Sequence, residues 1–475
     1  MNVTVRSVLW SAIERFSVQI VQFVLTIILS RLISPSDYGL IAMLSIFMQI
    51  AQSFVDSGFS NALIQKKDRT ETDYTTVFVF NILISVAAYL LLFISAPYIA
   101  AFYNEPLLTS ICRVIGLNII IQGLSVVQIA KLTIELNFKR QASASLISIV
   151  VSGIIGVYCA YKGFGVWALV VQTVLNSLLN TSLLFIITKW RPVESFSWKS
   201  LSSLFSFGSK LLVSGLLHTI YVNLYSLVIG KRYSSSDVGY YNQSNQIARF
   251  PSVSLMAIIT RALYPIQCRN QNDDKVLKDT FLQYLSMSSF IVFAIMIYIA
   301  SNAEPLVIIL LTDKWAPIIP ILRVLSIGYV FTSITVLNNQ ILNVKGRSDL
   351  YLKVEVLKKI LGIIILIATL PFGVLVMSIG ILVYNICDML LVMTFAKKVI
   401  PINIKQQLIT ILPIFLIIFI TGCLTFFAIS FAESAVFKLI IGTITYAVSI
   451  YTFSHVFQIK ECGYIINLAK SVLHK

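Results

Sequence analysis

The feature that most constrains this chain is a series of apolar runs of about 20 residues, the length that carries an α-helix across a bilayer core. The runs are separated by short clusters of charge, proline or glycine. Fourteen occur, at 9–31, 39–62, 75–102, 108–130, 142–161, 165–188, 209–230, 239–267, 281–301, 318–342, 352–371, 374–396, 408–431 and 437–457. Only 12% of the 475 residues are charged, against roughly 25% in soluble domains, which excludes a soluble globular fold. The runs predict an all-α integral membrane protein of fourteen transmembrane helices with no stretch left for a soluble domain. The first run follows Arg6, outlasts a signal-peptide core and lacks a small-x-small cleavage site, so it reads as a permanent helix.

The net charge of +16 acquires its meaning from position, because Lys and Arg are retained on the cytoplasmic side. The N-terminus, the even-numbered loops and the C-terminus hold 23 of the 36 Lys and Arg, while the odd-numbered loops hold six: Arg31, Lys162, Lys231, Arg232, Lys314 and Lys438. This alternation predicts both termini in the cytoplasm, and one miscounted span would scramble it. It also sets Tyr98, Tyr103, Trp167 and Trp315 at the outer interface and Trp10 and Trp190 at the inner one, where amphipathic rings settle. The charge therefore implies a membrane protein with no nucleic-acid partner. Three dispersed histidines and six cysteines without C-x-x-C spacing give neither a metal site nor a disulfide framework, and no cofactor is expected.

The chain also repeats itself. Ser34-Pro35-Ser36-Asp37-Tyr38-Gly39 is echoed by Ser234-Ser235-Ser236-Asp237-Val238-Gly239 at an offset of 200. Each has the form of a capping box, a serine at the cap with an acid three residues on. Arg113-Val114-Ile115 matches Arg323-Val324-Leu325 at 210, and Phe164-Gly165-Val166 matches Phe372-Gly373-Val374 at 208. Three echoes in one order predict a duplication of six helices. An even number makes both copies enter the membrane in the same direction, related by a pseudo-two-fold axis along its normal. The expected organisation is an N-terminal lobe over 1–188, a cytoplasmic-side amphipathic linker over 189–208, a C-terminal lobe over 209–399, and two extra helices with a cytoplasmic tail over 400–475.

Polar side chains within these spans are expensive and so informative. Helix one carries Ser11, Arg15, Gln19, Gln22 and Thr26 on one face, and helix two carries Ser45, Gln49, Gln52 and Asp56. Helix seven carries Ser214, His218, Tyr221 and Tyr225, and helix eight Asn242, Asn245, Arg249 and Ser252. Under the duplication these are equivalent pairs, as expected of stripes that face a water-filled cleft. The competing reading is that amide and hydroxyl stripes hold transmembrane helices together. Arg15 can also snorkel to the inner interface or pair with Glu14, and Asp56, beside Gly58, suits a helix terminus equally well. Arg249 lies ~18 Å along its helix, with no acid one turn away. His218 is a packing residue or a proton carrier. Asp388, with Tyr384 and Asn385 on helix twelve, is the deepest acid, and its partner is not legible in the sequence.

The stretch Ser30-Arg31-Leu32-Ile33-Ser34-Pro35-Ser36-Asp37-Tyr38-Gly39, followed by Asp56-Ser57-Gly58-Phe59, resembles the polysaccharide-transporter branch of the multidrug/oligosaccharidyl-lipid/polysaccharide exporter superfamily, the bacterial Wzx-type flippases. The fourteen-helix layout matches that family along the whole chain. The resemblance implies a two-lobed inner-membrane protein whose cleft between helices one, two, seven and eight carries an undecaprenyl-pyrophosphate-linked oligosaccharide to the periplasmic leaflet. Polysaccharide polymerase and chain-length machinery are the partners to look for. In that setting Arg15 would receive the headgroup and Arg249 hold it partway across, while Gln19, Gln22, Gln49, Asn242 and Asn245 bond sugar hydroxyls. Asp56, His218 and Asp388 are candidates for coupling or gating. A cation-coupled antiporter of the same superfamily is the alternative, and it would be expected to line its cleft with acids. A polymerase or ligase would be expected to need a large outer loop, and no outer loop exceeds the stretch from Asn302 to Pro317, so no enzymatic activity is expected.

Overall fold

The computed structural model describes residues 3–56 and 59–458 together with Glu461 and Gly463; side chains are described at all of these except 3–16, 56, 204–211, 213 and 214. The described residues form helices and no strand, and contacts divide the chain into two compact units, Met1–Gly239 and Tyr240–Lys475. Among the described residues, ten segments are long and apolar enough to cross a membrane. Their outer faces present Leu91, Ile154 and Phe427 at more than 60% exposure, the inverse of a soluble surface and the mark of a lipid-facing one. The chain is a multi-pass membrane protein.

The first unit contains α1 (Val3–Leu32), α2 (Pro35–Asp56), α3 (Phe59–Gln65), α4 (Glu71–Tyr103), α5 (Leu108–Ile115), α6 (Leu117–Ile134), α7 (Phe138–Tyr161), α8 (Val166–Thr188) and α9 (Trp198–Arg232). Small residues let these helices approach closely: a side chain on Gly153 would strike Leu25, and one on Gly123 would strike Ser85, packing typical of membrane interiors. Within 189–208, residues 189–197 are not helical, and from Trp198 the chain is already part of α9. Its start is tied to α4. The Trp190 indole donates to Glu71 at 2.8 Å, the Ser197 amide donates to the Thr76 hydroxyl at 3.1 Å, and Asp73, in an ion pair with Lys66 at 2.7 Å, accepts from Ser200.

The second unit contains most of α10 (Ser235–Arg269), then α11 (Asp274–Ser301), α12 (Ala303–Leu311), α13 (Ile318–Tyr329), α14 (Thr332–Val344), α15 (Ser348–Thr369), α16 (Val374–Ala396), α17 (Ile404–Ile429) and α18 (Ala435–Val456). The stretch Asn302–Pro317, expected as a plain loop, folds instead into α12 and a turn of 3₁₀-helix that buries Trp315 completely. Burying Val307 and Leu311 is worth more than leaving an apolar loop in water. α10 and α15 are not among the ten apolar segments. Arg249, Arg261 and a run of amides dilute the first, and Asp349, Lys353, Glu355, Lys358 and Lys359 the second.

Both serine caps form with nearly the same side-chain geometry, and in the second copy the Ser234 amide also donates to Asp237 at 3.1 Å, closing the box. Ser34 donates to Asp37 at 2.7 Å and accepts from its amide at 3.2 Å; Ser234 does the same with Asp237 at 2.7 and 3.2 Å. The other echoes are structural too. Gly165 and Gly373 precede α8 and α16 with φ of 55° and 95°, and Arg113 and Arg323 stack on Phe93 and Phe426 at 4.2 and 4.8 Å. The two boxes also meet inside the first unit. Ser36 and Ser235 hydroxyls are 3.0 Å apart, a side chain on Gly39 would collide with the Ser235 carbonyl, and one on Gly239 with the Pro35 carbonyl. Only glycine permits that approach.

Candidate functional site

In the first unit, α2 and α9 are joined by a polar seam. The Gln49 amide nitrogen donates to Asn223 Oδ1 at 3.3 Å and Asn223 returns a bond to Gln49 Oε1 at 3.0 Å. Ser45 donates to the same Asn223 oxygen at 3.4 Å, and Ser53 and Thr219 share a bond at 3.3 Å. Asn223 is absent from the predicted stripe, yet it is the hub of the seam. Gln49 therefore has a structural partner although it is exposed, as are Gln19 and Gln22 on α1 and His218 on α9. A polar group exposed on a membrane helix must bond water, lipid headgroups or a ligand. Arg15 and Asp56 fall outside the described side chains.

In the second unit the predicted residues on α10 divide the same way. Asn245 accepts from the Tyr329 hydroxyl at 2.6 Å, and Ser252 donates to the Tyr329 carbonyl at 3.1 Å, fastening α10 to α13. Asn242 is half-buried, and Arg249 is exposed. Beyond Arg249 the helix contains Pro251 and Pro265, each of which removes a backbone donor and weakens the ladder locally.

Beside that second proline is a cavity of about 580 Å³ between α10, α14 and α15. Arg261, Tyr264, Asn339, Gln340, Asn343 and Tyr351 line it. Gln340 donates to Gln267 at 2.8 Å, but the carbonyl oxygens of Asn339 and Gln340 are buried with no partner among the described residues. The cavity thus combines an exposed arginine with buried amide acceptors whose hydrogen bonds are unmade, a costly arrangement inside a protein. Sequence reasoning missed this site because Arg261 lies 12 residues past Arg249, about 120° around the helix at 100° per residue, and so off the stripe. The amide run Asn338-Asn339-Gln340 with Asn343 was the available signal.

Asp388 finds its partner in Lys358, at 3.4 Å, and Lys358 also holds Glu355 at 3.0 Å. Both members of the deeper pair are buried. A cation is thus built into the protein beside this buried acid, and these groups do not line the cavity described above.

Comparison with known proteins places these surfaces in context. A family profile described as "Polysaccharide biosynthesis protein" matches residues 28–320. The teichuronic acid biosynthesis protein TuaB of Bacillus subtilis is 28% identical over 72% of this chain and 71% of its own. The lipopolysaccharide biosynthesis protein WzxC of Escherichia coli is 24% identical over 87% of this chain and 85% of its own. Among solved structures, the lipid II flippase MurJ in an inward closed conformation superposes with a TM-score of 0.74 at 14% identity, covering 95% of this chain and 98% of that one.

Proposed function

We propose the function from one premise: the chain belongs to the polysaccharide biosynthesis protein family. It is a flippase that moves a polyprenyl-pyrophosphate-linked oligosaccharide unit from the cytoplasmic to the periplasmic leaflet for surface polysaccharide assembly, and it does so without covalent chemistry. The observation that carries this reading is the amide- and arginine-lined cavity at Arg261. A diphosphate entering a low-dielectric site needs fixed cations and hydrogen-bond donors to offset its desolvation. Arg15 and Arg261, both toward the expected cytoplasmic end, receive the headgroup, and Arg249 holds it partway across. Gln19, Gln22, Asn242, Asn339 and Asn343 bond sugar hydroxyls, with Gln49 and Asn245 contributing once their protein partners are exchanged. Of the candidate coupling groups, His218 is the exposed one, whereas Asp388 is held by Lys358; Asp56 remains a candidate at the inner end of α2.

The wider organisation proposed is fourteen spans in an inner membrane with both termini cytoplasmic. Two six-helix lobes, related by an axis along the membrane normal and working by alternating access, are followed by α17 and α18. The near-identical serine caps and the paired Arg–Phe stacks support the duplication. Impermeant thiol labelling tests the topology: cysteines at positions 104 and 316 should react from outside intact cells and those at 67 and 275 should not. The transport step is tested by glycan export in cells that depend on this chain. Arg249→Ala should abolish or strongly reduce export at unchanged protein level, and Arg249→Lys should restore part of it, keeping the charge while losing the bidentate fork. Normal export from an Arg15→Ala, Arg249→Ala, Arg261→Ala triple variant would overturn the reading.

A further inference from the structure

Helices α12, α13 and α18 bring three charged side chains together in the second unit. Lys438 Nζ is 2.5 Å from one oxygen of Glu304, and the Arg323 guanidinium is 3.9 Å from the other. Two cations share one acid, which leaves a charge of +1. The acid lies closer to the lysine, and Arg323 Nε is buried with no hydrogen-bond partner among the described residues. The guanidinium sits over the Phe426 ring at 4.8 Å. Alongside it is a cavity of about 220 Å³ between α11, α13 and α17, walled by Ile297, Ile327, Phe419 and Phe426. Phe419 and Phe426 are 41% and 49% exposed on the outward face of α17, so the cavity opens sideways through an apolar surface.

The counterpart in the first unit sets the background. Arg113 stacks on Phe93 in the same way and also has a buried, unpartnered Nε, but among the described residues it has no ion pair. The stack is therefore common to both units, whereas the second cation and α17 belong to Arg323 alone.

We infer that this is a binding site for an anionic phospholipid of the bilayer, with its phosphate on Arg323 and Lys438 and an acyl chain in the cavity beneath. Arg323 is five residues past Ile318, ~8 Å along α13, a depth from which a long cationic side chain reaches the headgroup layer. The apolar walls select a lipid over a free phosphate, and the surplus positive charge selects an anionic lipid over a zwitterionic one. The inference does not depend on which substrate is transported.

Cys423 lines the same cavity and is a free, exposed thiol, which makes it a reporter. The full-length protein in detergent is titrated with phosphatidylglycerol, phosphatidylcholine, inorganic phosphate or undecaprenyl pyrophosphate. Alkylation of Cys423 by N-ethylmaleimide is followed by peptide mass spectrometry, and retained lipid by native mass spectrometry. Phosphatidylglycerol should slow alkylation at least fivefold and be retained over phosphatidylcholine. Arg323→Gln should remove both effects, and Arg113→Gln should leave both intact. Should Arg323→Gln fail to fold, the protection of Cys423 in the unaltered protein decides alone. Equal protection by both phospholipids, protection by inorganic phosphate to the same extent, or preferential retention of undecaprenyl pyrophosphate would each overturn the assignment.

Discussion

The α2–α9 seam and the Arg261 cavity are built from the same chemistry and do opposite things. In the seam, Gln49 and Asn223 exchange two hydrogen bonds and so satisfy one another. In the cavity, the oxygens of Asn339 and Gln340 are buried, with no bond among the described residues, in a pocket shared with an arginine. What separates a helix fastener from a binding surface is whether a complementary group from a neighbouring helix arrives at hydrogen-bond distance. Paired groups should therefore cost stability when deleted, and open ones should cost transport.

The paired extreme is Lys358, and its loss gives the largest effect. Lys358→Ala strands Asp388 and Glu355 without their cation, and breaking a buried pair by removing one partner costs about 3–5 kcal/mol. The yield of folded protein on size-exclusion should collapse, and a Lys358→Met, Asp388→Leu double variant, which removes both buried charges, should recover much of it. Recovery of folded protein without transport would assign the pair a functional role in addition.

The open extreme is Arg261. Arg261→Ala should leave the melting temperature in detergent unchanged and reduce flipping of a lipid-linked oligosaccharide in proteoliposomes. Charge-assisted hydrogen bonds contribute about 1.5–3 kcal/mol each, so the loss is on the order of tenfold to a hundredfold. A large drop in melting temperature with normal flipping per folded molecule would move Arg261 into the paired class.

These examples also define what the sequence could reveal. The helices were legible because their signal is one-dimensional: apolar length, flanking charge and a capping serine three residues before an acid. Both serine caps formed as the spacing predicted. The partner of Asp388 lay 30 residues away on another helix, and no periodicity points to it. Asn223 sits off the Ser214–His218–Tyr221–Tyr225 face, and only its packing against α2 makes it the hub of the seam. Arg261 likewise lies off the single polar stripe of a helix that contains two prolines.

The capping boxes offer a comparison of intermediate size. Ser34→Ala and Ser234→Ala each delete one cap whose bonds agree within 0.1 Å across the two copies, and such losses typically cost about 1 kcal/mol. The two variants should destabilise equally in a denaturation series. An inequality would show that the copies have diverged in their surroundings even where their local geometry is the same.

The smallest effect should come from Asn223. Interhelical hydrogen bonds in membrane proteins average only about 0.6 kcal/mol, with a maximum near 1.7, because the separated helices find other partners. Asn223→Ala removes both bonds to Gln49 and the one from Ser45, so its cost should fall within that range, and the Gln49→Ala, Asn223→Ala double variant should cost little more than either single one. Non-additivity of that kind is the signature of two residues that spend their bonds on each other. Flipping by each folded variant should be close to normal. If Gln49→Ala reduced flipping while Asn223→Ala raised it, the seam would be a latch, with Asn223 withholding Gln49 from sugar hydroxyls until the helices separate, and the line between fastener and site would be a matter of conformational state rather than of position.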